Sequence, residues 1–253
     1  MHLLLTNDDG VHAPGLLALK RALESLGLLT IIAPDRNYSA SGHRKTLHKP
    51  LRLERTHLAD GTPAWACSGA PSDGVALALL GFVEEKIDLV VSGINPNANI
   101  GQDLTYSGTV TAAMEAVIAG VPGIAISANG ARKPADYASA VEAAQTVVRR
   151  VVEHGLPAGV LLNVNAPIGP IAGWRVTRQG RRVYRDVLVT RADPRGLPYY
   201  WIGGEEPTGE LIEGTDFWAL SQGYISVTPL QLDLTAHAVL PLLSGWFDEM
   251  TAS

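Results

Sequence analysis

Two adjacent carboxylates, Asp8 and Asp9, lie one residue beyond a short apolar run at residues 2–6. Neighbouring acids repel each other, so a fold that holds both in one crevice favours a cation beside them. Gly10 comes next, and its permissive backbone can aim two successive side chains at one point. By itself, an Asp-Asp-Gly sequence after a strand is more often a solvated turn. Further oxygen ligands elsewhere in the chain are therefore needed before a metal site is inferred.

Two later polar segments supply such oxygen atoms. The segment 37–45 is rich in turn-forming residues, and the chain from Ser92 to about Tyr106 is expected to form a long loop. Their hydroxyl and amide side chains include Ser39, Ser41, Asn95, Asn97 and Asn99. Carboxylates combined with hydroxyl and amide oxygens suit Mg²⁺ or Mn²⁺ rather than Zn²⁺.

The sequence Ser107-Gly108-Thr109 opens a predicted helix and has the composition of an anion site. Free N–H groups and hydroxyls at a helix N-terminus attract phosphate. Ordinary N-capping by Ser107 or Thr109 accounts for the same residues about as well. An acidic, metal-type loop and an anion-type helix start within one sheet together favour a site that handles phosphate.

The pattern over about the first 170 residues predicts an α/β domain. Short apolar runs alternate with helical patterns, which is typical of a Rossmann-like, mostly parallel sheet with helices on both faces. The predicted strands are 2–6, 29–33, 87–91, 123–127 and 160–165, and the predicted helices are 14–26, 71–81, 109–119 and 135–152. Such sheets bind ligands beyond the carboxyl ends of their strands. We therefore expect the three polar segments to meet in one crevice.

The remaining region, about 171–253, has a different sequence pattern from the α/β part. Short apolar runs, the cluster Tyr199-Tyr200-Trp201 and Gly/Glu-rich turns predict a smaller antiparallel β appendage. An extended segment at 227–234 and a helix from about residue 235 are expected to follow. We predict a single domain, in which residues 1–170 form the α/β core and residues 171–253 form the appendage and a C-terminal segment.

The composition of the chain and the absence of certain motifs disfavour several other classes of protein. The 253 residues carry 20 Lys plus Arg against 25 Asp plus Glu, a net charge of −5, and no basic cluster that would bind a nucleic acid polymer. The single cysteine, Cys67, cannot form an intramolecular disulfide. Neither a signal-peptide pattern nor an apolar run of roughly 20 residues is visible, so we expect a cytoplasmic protein without a membrane partner. The chain has no Walker A sequence and no GxGxxG after the first strand, which disfavours P-loop NTPases and dinucleotide enzymes, and its histidines lack the HExxH spacing of a zinc site.

The order of the motifs resembles the survival protein E (SurE) family. The early matching segments are Thr6-Asn7-Asp8-Asp9-Gly10, Pro34-Asp35-Arg36 with Ser39-Ala40-Ser41-Gly42, Ser92-Gly93-Ile94-Asn95 and Tyr106-Ser107-Gly108-Thr109-Val110. The later ones are Asn163-Val164-Asn165, Pro198-Tyr199-Tyr200-Trp201, Thr215-Asp216 and Ser226-Val227-Thr228-Pro229-Leu230. The resemblance covers essentially the whole chain, and its first and fourth motifs are specific.

The resemblance implies a metal-dependent phosphomonoesterase. It implies one divalent ion per subunit, Mg²⁺ or Mn²⁺, bound by Asp8, Asp9, Ser39 and Asn95, with Asp8, Asp9 and Asn95 as catalytic residues. It assigns the substrate phosphate to Ser107, Gly108, Thr109, Ser41 and Asn99. Members of the family are 5′(3′)-nucleotidases that hydrolyse nucleoside monophosphates, and some also act on short polyphosphate. The same resemblance implies a homodimer or homotetramer formed through the appendage and the C-terminal segment.

Two departures from the family pattern keep other hypotheses open. The chain reads Asn95-Pro96-Asn97 where the family usually has a glycine two residues after the metal-binding asparagine, and Gly69-Ala70-Pro71 replaces Gly-Thr-Pro. The altered loop is the support for a catalytically inactive nucleotide-sensing module. An α/β oligomerisation scaffold without a ligand is a third hypothesis. The intact acid pair and helix start favour the enzyme.

Overall fold

The computed structural model describes residues 1–184, 186–204 and 208–247. Its strands are β1 (His2–Thr6), β2 (Leu28–Pro34), β3 (Leu53–His57), β4 (Pro63–Cys67), β5 (Leu89–Asn95), β6 (Gly123–Ala128), β7 (Val160–Ala166), β8 (Gly173–Val176), β9 (Arg182–Val183), β10 (Asp186–Ala192), β11 (Pro198–Gly204), β12 (Thr208–Gly209) and β13 (Tyr224–Gln231). Its α-helices are α1 (Pro14–Leu23), α2 (Pro71–Leu77), α3 (Gly108–Ile118), α4 (Ala138–His154), α5 (Asp216–Ser221) and α6 (Leu240–Phe247). None of the helices within these ranges is long and apolar enough to span a membrane.

A nine-stranded sheet in the order β3-β4-β2-β1-β5-β6-β7-β13-β8 organises these elements. β1 pairs in parallel with β2 on one side and with β5 on the other, so that Leu4 lies opposite both Thr30 and Val90. The strand order therefore reverses at β1, and a crevice forms beyond the carboxyl ends of the strands at such a point. Asp8 and Asp9 follow β1 almost immediately and lie at this crevice.

The alternation of side chains along β1 explains why helices cover both faces of the sheet. Leu3 and Leu5 are fully buried in a cluster that includes Leu19 of α1 and the alanine-rich stripe of α4. Leu4 belongs to a separate cluster with Ala112 of α3 and residues of α2. Each buried leucine contributes about 1.5–3 kcal/mol relative to an exposed one. The predicted α/β fold with helices on both faces is confirmed.

One predicted boundary close to the site is wrong. We expected a loop to begin at Ser92, but β5 continues to Asn95. Ser92 pairs with Ala125 of β6, and after a shift of register Asn95 pairs with Ser127. Pairing with a buried neighbouring strand overrides the turn preference of the Ser-Gly sequence. The loop that carries the asparagines therefore begins at Pro96.

The edges of the sheet also differ from expectation. The hairpin formed by β3 and β4 was not predicted, and neither was the short helix α5. β13 pairs antiparallel with β7 and parallel with β8, so the main sheet continues beyond residue 170. The small antiparallel pairs β9–β12 and β10–β11 lie outside that sheet, as expected of an appendage. The extended segment predicted at 227–234 is β13, which begins and ends three residues earlier.

Candidate metal and phosphate site

A cavity of about 390 Å³ opens beyond the carboxyl ends of β1 and β5. Its lining is polar and acidic and consists of Asp8, Asp9, Ser39, Ala40, Asn95, Pro96, Asn97, Ala98, Asn99, Asp103, Tyr106, Ser107 and Arg182. All four residues predicted to bind a metal ion are among them. Of the residues predicted to bind phosphate, Ser107 and Asn99 line the cavity, whereas Ser41, Gly108 and Thr109 do not.

Asp8 is held between the end of β1 and the start of α3. The residue is 4% exposed, and its Oδ1 accepts a hydrogen bond from Thr109 Oγ1 at 2.5 Å. Its backbone carbonyl accepts a hydrogen bond from the Tyr38 N–H at 2.7 Å, which ties the second polar segment to the first. Gly108 leaves room for the carboxylate, because a Cβ atom at that position would lie 2.7 Å from Asp8 Cβ. The first turn of α3 is thus shaped around Asp8.

Burial disfavours ionisation of both Asp8 and Asp9. Burial raises the pKa of Asp8, although the Thr109 hydroxyl and the backbone N–H groups at the start of α3 oppose the rise. Burial, and then repulsion from Asp8, raises the pKa of Asp9 to about 6. A cation opposes both effects, because it offsets negative charge that has been removed from water. The electrostatics of the acid pair therefore fit a cation site.

The segment that carries Ser39 is anchored by two buried carboxylates. Glu115 of α3 contacts His43 Nε2 and Lys45 Nζ, each at 3.0 Å. Asp73 of α2 accepts hydrogen bonds from both the N–H and the hydroxyl of Thr46, each at 2.7 Å. Buried hydrogen bonds to charged groups contribute about 1.5–3 kcal/mol each, and the pair with Lys45 contributes less because that side chain is 52% exposed. These contacts fix the far end of the segment and so restrict where Ser39 can lie.

Ser39 and Ser41 face different surroundings. Ser39 is exposed at the cavity. The Ser41 hydroxyl is buried and makes no hydrogen bond to the described residues. Ala40, between them, has a φ of 56°, in the left-handed region that few residues with a side chain adopt. Ser39 therefore lines the cavity, whereas Ser41 does not.

Asn95, at the end of β5, donates a hydrogen bond from Nδ2 to the Asn97 carbonyl at 2.6 Å. That bond leaves Oδ1, the atom suited to a hard cation, for other contacts. Further along the loop, the Asn99 N–H donates to Asn165 Oδ1 at 2.8 Å, and Asn163 Nδ2 donates to the Asn99 carbonyl at 2.8 Å. Two asparagines of β7 therefore fix the end of the loop that begins at Pro96.

The residues predicted to bind phosphate have contacts within the protein. Ser107 is the N-cap of α3, and its Oγ accepts a hydrogen bond from the Val110 N–H at 3.1 Å. Thr109 is fully buried, and its hydroxyl is bonded to the first carboxylate of the pair. Asn99 Nδ2 donates to Ser127 Oγ at 2.9 Å. The N-capping alternative thus describes the Ser107 hydroxyl, and the assignment of these residues to phosphate stays a prediction.

Two charged residues at the cavity were not predicted from the sequence. Asp103 lies in a 3-10 turn at 101–105, and Arg182 lies in β9, far along the chain. Arg182 Nη2 contacts Asp103 Oδ2 at 2.9 Å. No local pattern distinguishes Arg182 from its neighbour Arg181, so only the folded chain reveals which of the two reaches the cavity.

The donor atoms at this cavity are mixed in type. Across residues 1–184, 186–204 and 208–247, no cluster of three or more histidine, cysteine and acidic side chains is arranged to hold a metal ion. A metal here would instead be bound by carboxylate, hydroxyl and amide oxygens, the donors that Mg²⁺ and Mn²⁺ prefer.

The chain is similar to known proteins along nearly its whole length. The family model described as Survival protein SurE matches residues 3–186. A 5'-nucleotidase SurE of Chloroflexus aggregans is 53% identical, over 97% of this chain and 99% of its own. The 5'-nucleotidase SurE 1 of Thermus thermophilus is 48% identical, over 97% of each chain. The crystal structure of the SurE protein from Aquifex aeolicus has 42% sequence identity and a TM-score of 0.84, covering 97% of this chain and 99% of that one. The chain described here belongs to the survival protein SurE family.

Proposed function

We propose that this protein hydrolyses nucleoside 5′- and 3′-monophosphates to nucleoside and phosphate, with one divalent metal ion per subunit. The observation that carries the proposal is the convergence of Asp8, Asp9, Ser39 and Asn95 on one cavity at the strand ends. Relatives named 5'-nucleotidase SurE, at 53% and 48% identity, support the substrate class. Short polyphosphate is a further substrate in this proposal, because its cleavage also transfers a phosphoryl group to water.

The cavity fits a hard divalent cation, Mg²⁺ or Mn²⁺. Asp8, Asp9, Ser39 and Asn95 would hold it through oxygen atoms alone. When bound, such an ion neutralises the acid pair, polarises a phosphoryl oxygen and acidifies a water molecule. The hydrogen bond from Thr109 keeps the Asp8 carboxylate in one orientation for this role. Asp8, Asp9 and Asn95 are therefore the residues that we assign to catalysis.

The start of α3 provides the complementary charge for the phosphate. Helix N-termini carry partial positive charge on N–H groups that lack intrahelical partners. Donors aimed at the phosphoryl oxygens stabilise the charge of the transition state. The proposed phosphate contacts are Ser107, Gly108, Thr109, Ser41 and Asn99. Because the hydroxyls of Ser107 and Thr109 already have partners and the backbone N–H groups of Gly108 and Thr109 face Asp8, we assign their contribution to the partial positive charge of the helix end.

We also propose that the protein assembles into a homodimer or homotetramer through the region 171–253. The β10–β11 hairpin exposes large apolar side chains, among them Tyr200, Trp201 and Ile202. Helix α6 exposes Leu242 and Trp246. Clustered apolar exposure of this kind marks an interaction surface. A second copy of the chain is the partner that we propose for it.

A phosphate-release panel tests the proposed activity. The protein is incubated with nucleoside 5′- and 3′-monophosphates and with short polyphosphate, each in Mg²⁺, Mn²⁺ or EDTA. We expect release from the monophosphates only when metal is present. Nucleotide binding without release would instead identify a sensing module. The absence of both nucleotide binding and a metal-dependent thermal shift would indicate a scaffold.

A further inference from the structure

Arg182 brings a positive charge to a cavity that is otherwise acidic. Among the described residues that line it, Asp8, Asp9 and Asp103 carry carboxylates, and Arg182 is the one with a cationic side chain. A phosphomonoester is itself an anion at neutral pH. Carboxylates repel it, whereas a guanidinium binds phosphate oxygens through two parallel N–H donors.

The position of Arg182 is set by contacts from two separate parts of the chain. Its backbone N–H donates to Gln102 Oε1 at 2.6 Å, and its side chain is only 18% exposed. Its guanidinium lies over the ring of Phe217, with 5.5 Å from Cζ to the ring centroid. Phe217 fits there because Gly101 and Gly209 lack side chains; a Cβ at either glycine would come within 2.6 Å of the ring. The arginine is therefore built into the site and does not extend freely into solvent.

The guanidinium has hydrogen-bonding capacity that the protein does not use. Arginine carries five N–H donors. Arg182 Nη2 contacts Asp103, whereas the Nε–H is buried and finds no acceptor among the described residues. A buried donor without an acceptor carries a cost in free energy. An oxyanion that drew the guanidinium toward the cavity would relieve that cost.

Asp103 can release Arg182 without losing all of its own contacts. Its Oδ2 faces Arg182, while its Oδ1 accepts a hydrogen bond from the Tyr184 hydroxyl. A carboxylate that keeps one donor is less destabilised when its ion pair separates. Asp103 is therefore suited to act as a counter-ion that holds the arginine when no phosphate is bound.

We propose that Arg182 binds the phosphate group of the substrate and exchanges its contact with Asp103 for that anion. This inference rests on the proposed function, because it assigns a contact within the same site. It adds a substrate-binding residue from β9, outside the sheet that carries the acid pair. The phosphate, and not the nucleoside, is the partner because the guanidinium matches it in charge and geometry.

The test compares Arg182→Ala and Arg182→Lys with Arg181→Ala. Arg181 is the neighbouring arginine, but its side chain is 74% exposed and pairs with Glu210 at 3.5 Å. Inorganic phosphate binding is measured by isothermal titration in the presence of Mg²⁺, and kcat and KM are measured with a nucleoside monophosphate. We expect Arg182→Ala to weaken phosphate binding and raise KM by roughly 10- to 100-fold, as for loss of a hydrogen-bonded charge. Arg182→Lys should lose less, and Arg181→Ala should match the wild type.

A second variant separates this role from a structural one. In the wild-type background, Asp103→Asn should strengthen phosphate binding, because the arginine is released. In the Arg182→Ala background, the same change should have little effect. An equal gain in both backgrounds would show that Asp103 acts only by repulsion and would overturn the proposal. So would a rise in KM without any loss of affinity for inorganic phosphate, since that places the contact on the nucleoside. If the wild type released no phosphate from any nucleotide, the proposed function would fail, while the titrations would still decide whether Arg182 binds the anion.

Discussion

The close approach between α3 and Asp8 leads to a sharp prediction for Gly108→Ala. The added Cβ would lie 2.7 Å from Asp8 Cβ and 2.9 Å from Oδ2. Carbon atoms that are not bonded to each other normally sit about 3.5–4.0 Å apart, so the carboxylate or the helix must move by roughly 1 Å. That movement also disturbs the 2.5 Å hydrogen bond from Thr109 to Asp8. A misplacement of about 1 Å at a catalytic group can lower activity about 100-fold.

The expected loss of stability is much smaller than the loss of activity. Overpacking lowers the free energy of unfolding by about 1–3 kcal/mol, while replacing a helical glycine with alanine raises it by about 0.5–1 kcal/mol. We therefore expect the free energy of unfolding to fall by about 1–2 kcal/mol, which lowers Tm by a few degrees in a chain of this size. The assay is kcat/KM for a nucleoside monophosphate together with Tm in Mg²⁺ and in EDTA.

Gly74→Ala is the matched control for Gly108→Ala. Gly74 also lies in a buried helix, and a Cβ there would contact Ile32 Cγ2 at 3.2 Å, away from the cavity lining. It should lose some stability but keep kcat/KM within about twofold, because only a methyl group must move. Wild-type kcat/KM in Gly108→Ala would refute the idea that the packing of α3 positions Asp8. Equal losses of activity in both variants would show that general repacking is responsible.

Three further predictions concern the acid pair, the anchor of the Ser39 segment and the exposed hairpin. Asp8→Asn and Asp9→Asn should remain folded by circular dichroism but lose phosphate release. A metal ion at 100 times its Kd stabilises the wild type by about 2.7 kcal/mol, and both variants should lose that stabilisation. Retained turnover in both variants would contradict the assignment of Asp8 and Asp9 to catalysis. Glu115→Gln should lower Tm at pH 7 by a few degrees but have little effect at a pH below the folded-state pKa of Glu115. His43 and Lys45 lower the pKa of Glu115, so its stabilisation is present above the unfolded pKa and is lost as the pH falls through the folded value. Exposed Glu142→Gln is the control, and a Tm difference that is independent of pH would count against the ion pairing. Ile202→Asp, at a residue 85% exposed, should reduce the oligomer size measured by light scattering, and an unchanged mass would remove the hairpin from the interface.

The α/β core could be predicted from the sequence because its signals are local. Strands buried on both faces appear as short apolar runs, and helix ends are marked by residues such as Pro14 and Gly120. The predicted end of β5 was wrong because pairing with β6, and not local sequence preference, keeps Ser92 to Asn95 extended. The place of β13 in the main sheet was missed for a similar reason. Its pairing with β7 joins residues that lie 61 to 71 positions apart, from Ser226 with Asn165 to Gln231 with Val160.

The sequence by itself determined which segments with oxygen-bearing side chains lie near the strand ends, and hence that the segments carrying Asp8, Ser39 and Asn95 would meet, while the choice of these particular ligands came from the resemblance to the SurE family. The carboxyl ends of parallel strands share one edge of the sheet, so residues just after those strands converge whatever the details of packing. Only the tertiary structure decided that Thr109 bonds to Asp8 and that Arg182 reaches the cavity while Arg181 does not. Those contacts depend on side-chain direction and on packing between segments far apart in the chain, and neither leaves a periodic trace in the sequence.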